Sequence, residues 1–224
     1  MKQAFDVIAP RYDLVSNVMT LGMGDRWRRA AAEAADVSAC SHVLDAFTGT
    51  GDLALMLADR VTSCGEVIGV DYSPAMIDRA RLKAGATHRQ CRFEVADVTA
   101  LPFEDDRFDA VTASGGLRGL DDPEPAVREM VRVAAPGARI VVLEITPPRR
   151  LRGVHAKVLG YAMPTVGGLL GGDPDAFSQL AESVGNVPPA AEVAAMLSRC
   201  GISDIRWREF AGGVATLHHG RVAA

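Results

Sequence analysis

"VLDAFTGTGDLALML", residues 43–57, reads as a strand that enters a glycine turn and leaves it as a helix. Gly49 and Gly51 let the backbone bend tightly and approach a ligand with no Cβ in the way. The helix beginning near Asp52 is expected to point its free amides at that ligand. The spacing also satisfies G-x-G-x-x-A, which dinucleotide-binding oxidoreductases share with other nucleoside binders. The turn therefore implies a nucleotide-like ligand and leaves its class open.

Working outward, β-branched apolar runs recur at "HVLDAF", "EVIGVDY", "CRFEVAD", "FDAVTAS", "RIVVLEI", "DIRWREF" and "VATLHHG". The first five are separated by helix-length segments, which predicts parallel strands joined by crossovers. The last two are separated only by "AGG", too short for a parallel return, so they form an antiparallel hairpin. The fold class is α/β: a doubly wound, Rossmann-like, seven-stranded, mostly parallel sheet with an antiparallel C-terminal pair. The 224 residues, 48% of them apolar, suit one domain. Residues 1–36 are read as an N-terminal helical lid. Residues 147–188, rich in glycine and proline, form a substrate-side insertion near the carboxyl edge of the sheet.

A net charge of −4 provides no basic field for nucleic acid. Cys40, Cys64, Cys91 and Cys200 are scattered without a Cys-x-x-Cys pair, so reduced, buried thiols and no metal site are expected. The N-terminal "MKQAFDVIAPRYD", with Asp6, Arg11 and Asp13, lacks the apolar stretch of a secretion signal, and a cytoplasmic location is expected.

Three acids narrow the ligand. Asp45, Asp71 and Asp97 close the first, second and third strands. Asp71 is placed to accept hydrogen bonds from ribose hydroxyls. An acid just ahead of the glycines sits badly beside a pyrophosphate, and a cationic ligand removes the conflict. S-adenosylmethionine carries a sulfonium, an ammonium and a ribose but no phosphate. Asp45 is then expected near its amino-acid end, Asp71 at the ribose, and Asp97 with Val98 at the adenine. Thr48, Gly49, Gly51, Tyr72, Met76 and Ser114 complete the expected cofactor set, with S-adenosylhomocysteine as product.

"FDVIAPRYD", "GVDYSPAMID", "ADVTALPFEDDRFDAVTASGGLR", "REMVRV", "VVLEI" and "GGVATLHHG", together with the opening stretch, resemble the quinone-ring C-methyltransferases of menaquinone and ubiquinone biosynthesis. The resemblance spans nearly the whole chain. It implies methyl transfer from S-adenosylmethionine to a ring carbon of a reduced prenylated quinone. Tyr12 would pack over the cofactor, and Arg118 would lie near the substrate oxygen. A guanidinium stays charged, so Arg118 stabilises a developing phenolate and does not act as a base. His218, which matches the family's "LH" ending, is the titratable candidate beside it.

The departures lie on the acceptor side. Phe47 stands where the family has Ala, and "GGLRG" replaces "FGLRN", placing Gly115 and Gly119 at substrate positions. Phe177 and Gln179 stand where the family has tyrosines. Phe47 either fills the volume vacated at Gly115 or reshapes the pocket for another acceptor. "PPRRLRGVHAKVLGYAMPTVGGLLGG", with Arg149, Arg150, Arg152 and Lys157 beside an apolar stretch broken by Pro164, is too short to span a bilayer. It is read as either a peripheral contact with the inner face of the membrane or a lid over a soluble substrate. Homodimerisation is a further expectation. A methyltransferase of the same fold with a different aromatic acceptor and a non-catalytic methyl-donor-binding protein remain open alternatives. An NAD oxidoreductase is disfavoured by Asp45 and by the lack of a Tyr-x-x-x-Lys pair after the sheet.

Overall fold

A computed structural model describes residues 9–20, 22–146 and 187–223. Seven strands form one sheet in the order β3-β2-β1-β4-β5-β7-β6. They are β1 His42–Ala46, β2 Glu66–Asp71, β3 Cys91–Val95, β4 Phe108–Ser114, β5 Ala134–Ile145, β6 Ile202–Phe210 and β7 Ala215–Val222. The pairs β1–β2, β2–β3, β1–β4 and β4–β5 are parallel, whereas β5–β7 and β6–β7 are antiparallel. The seven strands and the C-terminal hairpin are those expected from the sequence. The chain runs outward from β1 to β3 and then crosses back to β4 on the other side of β1. That reversal opens a crevice at the carboxyl ends of β1 and β4, where open α/β sheets bind ligands.

Six helices accompany the sheet among the described residues: α1 Tyr12–Met19, α2 Gly24–Ala34, α3 Asp52–Ala58, α4 Pro74–Ala84, α5 Glu124–Val133 and α6 Ala190–Arg199. Both sheet faces are covered, which is why the central strands read as continuous apolar runs. Leu44, Ile68 and Val142 face α5 and α6 through Val127, Met130 and Leu197. Their neighbours Val43, Val67 and Val141 face α2, α3 and α4 through Trp27, Leu57 and Ile77. One crossover lacks a helix: residues 96–107 return from β3 to β4 as a loop, anchored by buried Leu101 and Phe103.

Two expectations are corrected here. Only part of residues 1–36 can serve as a lid, because α2 belongs to the core: Trp27 is 3% exposed and its ring lies 6.3 Å from that of Phe210. Cys40 and Cys64 are not reduced, buried thiols, since they are exposed and joined in a disulfide, with their Cα atoms 4.7 Å apart. The parallel register pairs His42 with Glu66, so residues two places ahead of each stand side by side. Cys91 is half-buried and Cys200 buried, and both are free. The insertion at 147–188, with its basic and apolar residues, lies outside the described residues except for Val187 and Pro188, as do Asp6, Phe177 and Gln179.

Candidate active site

The glycine turn leaves β1 with Phe47 in the left-handed region (φ 56°). Gly51 caps α3 at φ 85°, and a Cβ there would stand 2.9 Å from the Phe93 ring. Gly51 is thus required by the close approach of β3 as well as by its dihedral. Three of the turn's amides are spent within the protein. Thr48 N–H donates to the Val70 carbonyl at 2.9 Å, Gly51 N–H to the Thr48 carbonyl at 2.9 Å, and Gly49 N–H to Asp71 Oδ2 at 2.9 Å.

Asp45 explains where the first helical turn directs its charge. It is 1% exposed, and its two oxygens accept from Thr112 Oγ1 at 2.6 Å and Thr48 Oγ1 at 2.7 Å. The Ala54 amide of α3 also binds it. Burial pushes its carboxyl up to about 6, against the pull of the two hydroxyls. Asp45 is therefore an internal anion beneath the turn, set against the positive end of α3, rather than a ligand contact. Thr48 and Gly51 likewise stand outside the cavity lining. The helix amides expected to face a ligand are in part committed to this carboxylate.

Above the turn lies a cavity of about 390 Å³, a size that suits a small molecule. The ends of the first four strands contribute to it: Phe47 and Gly49 after β1, Asp71 and Tyr72 at the end of β2, Asp97 and Val98 after β3, and Ser114 with Gly115 at β4. Tyr12 and Met76, candidates for the cofactor, and Gly119, a candidate for the substrate, also line it, together with Ser73, Thr99, Gly116 and Leu120, which the sequence did not single out. Asp71 is fixed at both oxygens, Oδ1 accepting from Ser73 N–H at 2.9 Å and Oδ2 from Gly49. Asp97 Oδ1 accepts from the Thr99 amide at 2.9 Å and hydroxyl at 2.7 Å. Ser73 also caps α4, its hydroxyl accepting from Met76 N–H at 3.2 Å, so one short turn aims both the acid and the first helical side chains.

No described residue lining this cavity is basic. Two carboxylates in a described lining that holds no basic residue suit a ribose-bearing cation better than a pyrophosphate. These residues fit the adenosyl sulfonium expected from the sequence.

Phe47 settles over Gly116, where a Cβ would stand 2.0 Å from its Cγ. The space above Gly115 belongs instead to Arg118, whose Nη1 lies 2.6 Å from an ideal Cβ at that position. Arg118 lines a neighbouring groove of about 780 Å³ that shares Gly119 and Leu120 with the cavity. Its Nη1 donates to Glu144 Oε2 at 3.3 Å, both side chains being nearly buried. Glu144 Oε1 accepts from Leu117 N–H at 2.9 Å. Burial pushes the Glu144 carboxyl up, and the Arg118 charge opposes it. Burial also raises the half-buried Tyr12 phenol, with Arg118 and then Asp71 acting in opposite directions. Glu144 escaped the sequence reading. Its signal was an acid inside "VVLEI", a burial that demands a partner.

His218 is not brought to either cavity. It is 1% exposed on β7, its Nε2–H donates to the Ala190 carbonyl at 2.9 Å, and burial pushes its pKa down. It is a neutral core imidazole that fastens β7 to α6, which corrects its expected catalytic role. No helix among the described residues is long and apolar enough to cross a membrane, and no cluster of ligating side chains could hold a metal there.

A model of the "ubiE/COQ5 methyltransferase family" matches residues 1–222. A demethylmenaquinone methyltransferase of Thermus thermophilus is 43% identical over 218 residues, covering 96% of this chain and 98% of that protein. One from Deinococcus radiodurans is 40% identical, covering 96% and 89%. Among solved structures, a SAM-dependent methyltransferase from Aquifex aeolicus superposes with TM-score 0.62 at 20% identity, covering 83% of this chain and 84% of that one. The [4+2]-cyclase SpnF superposes with TM-score 0.71 at 18% identity, covering 100% and 95%. These two structures establish the fold alone, and the second shows that the fold hosts more than one chemistry.

Proposed function

Because the chain belongs to the ubiE/COQ5 methyltransferase family and is an S-adenosylmethionine-dependent methyltransferase, we propose that it methylates a ring carbon of a reduced quinone. The observation that supports this reading is the cavity rimmed by Asp71 and Asp97, with no basic residue among its described lining, opening onto the Arg118 groove. S-adenosylmethionine, when bound, supplies an electrophilic methyl on sulfur. The chain's residues supply alignment and charge. Asp71, braced by two backbone amides, holds the ribose hydroxyls. Asp97 and Val98 hold the adenine edge. Tyr12 and Phe47 exclude water from the two sides of the cavity. Arg118, kept in place by Glu144, stabilises the phenolate of the acceptor, which makes the adjacent ring carbon nucleophilic.

A second reading, a different aromatic acceptor on the same catalytic frame, is favoured by Phe47 lying over Gly116 beside the side-chain-free Gly115 and Gly119. Transfer of labelled methyl to a reduced demethylmenaquinone analogue separates the two. The first reading expects turnover, cut by about 100-fold or more in Arg118→Ala through loss of electrostatic stabilisation. Binding of S-adenosylhomocysteine without transfer to any prenyl quinol would select the second. No binding of S-adenosylhomocysteine would end both.

A further inference from the structure

Asp13 follows Tyr12 in α1 and reaches across to the glycine turn and to α4. Its Oδ1 accepts from the Thr50 hydroxyl at 2.6 Å and from Lys83 Nζ at 3.3 Å, while Arg79 Nη2 lies 3.6 Å from Oδ2. Lys83, near the end of α4, also donates to Thr50 Oγ1 at 3.2 Å and pairs with Asp52 at the start of α3. Asp52 in turn meets Arg28 of α2 at 3.3 Å. Thr50 stands between the two glycines of the turn, so the bond from α1 lands on the segment that forms the cavity floor. On the cavity side, an ideal Cβ at Gly49 would lie 3.8 Å from Tyr12 Cε1, which puts the ring directly over the turn.

We propose that Asp13 is a positioning residue for methyl-donor binding: by clasping Thr50 and Lys83 it holds α1 so that Tyr12 closes the cavity over Gly49. The proposal rests on the methyl-donor reading above. An eight-residue helix has little stability of its own, so tertiary contacts must fix it. Leu14, next along α1, is 49% exposed and supplies little anchorage. Burial alone would push the Asp13 carboxyl up, but the Thr50 hydroxyl and Lys83 overcome it and hold the carboxyl below its usual value. The clasp therefore stays ionised throughout the neutral range.

Calorimetric titration of the full chain with S-adenosylhomocysteine tests this. Asp13→Asn and Thr50→Val, which break the same contact from opposite sides, are each expected to weaken binding about tenfold, the scale of one charge-assisted hydrogen bond. Thr50→Ser, which retains the hydroxyl, is expected to restore it. Asp52→Asn disturbs the same charge network without touching α1, so it should lower the melting temperature and leave affinity near wild type. Combining Asp13→Asn with Tyr12→Ala should cost less than the sum of the two, because one acts through the other. Equal weakening by Asp13→Asn and Asp52→Asn, or wild-type affinity in both Asp13→Asn and Thr50→Val, would reduce the clasp to a general stabilising contact and overturn the proposal. A wild-type chain that fails to bind S-adenosylhomocysteine would instead overturn the methyl-donor reading.

Discussion

At the scale of single residues, Phe47, which stands where the family has Ala, makes its closest approach at Gly116. A phenylalanine in the left-handed region carries a conformational cost, and the structure offsets it by laying the ring on a residue that has no side chain. Gly116→Ala is expected to destabilise the protein by about 1–3 kcal/mol through overpacking. Phe47→Gly in the same molecule should recover most of that loss, since it removes both the clash and the strained dihedral. Chemical denaturation of the two single variants and the double variant measures the coupling, and simple additivity would show that the ring does not depend on Gly116. The sequence marked Phe47 as unusual but suggested Gly115 as its neighbour. Spacing along the chain cannot tell which of two adjacent glycines a ring will meet.

At the scale of elements, the start of β1 and the start of β2 are stapled by Cys40–Cys64 at the amino edge of the sheet, opposite the cavity. The bond closes a loop over a separation of 24 residues. Losing such a constraint is expected to cost about 3 kcal/mol, or roughly 6–12 °C in melting temperature for a chain of this size. Calorimetric melting of Cys40→Ser beside wild type, with and without dithiothreitol, checks this: reductant should shift wild type toward the variant and leave the variant unmoved. The pairing has a sequence correlate, since both cysteines stand two places ahead of adjacent parallel strands, but it becomes visible only after the register is known. The same holds for α2, whose alanine-rich sequence announces a helix. Only its packing on Leu57, Val141 and Phe210 makes it part of the core.

At the scale of the whole molecule, two buried carboxylates and three partly exposed ones are shifted in opposite directions. Asp45 and Glu144 are pushed up by burial, whereas Asp13, Glu66 and Glu129 are held down by hydroxyls, arginines and lysine. For Asp45 the folded state binds its proton more tightly than the unfolded state between about pH 4 and 6, so its contribution to stability falls as pH rises through that window. A shift from 3.8 to about 6 corresponds to about 3 kcal/mol. The stability of wild type relative to Asp45→Asn should therefore decline by up to that amount from pH 4 to pH 6 and stay level above it. Urea denaturation across that range reads the difference directly, and a flat difference would show that Asp45 is not desolvated. The alternation of apolar runs with helical patterns, and the "AGG" hairpin link, determined the doubly wound sheet with its reversed last strand, because period and linker length are local and restrict how neighbouring strands can pair. Two of the three acids at the strand ends, Asp71 and Asp97, give the cavity the acidic rim that the sequence pattern led one to expect. Tertiary structure alone decided that Asp45 turns inward to α3, that His218 belongs to the core, that Glu144 holds Arg118, and that Asp13 grips the turn. Except for Asp45 with the adjoining α3, these contacts join residues far apart in the chain, and burial, which sets their charge and role, is a property of the packed molecule.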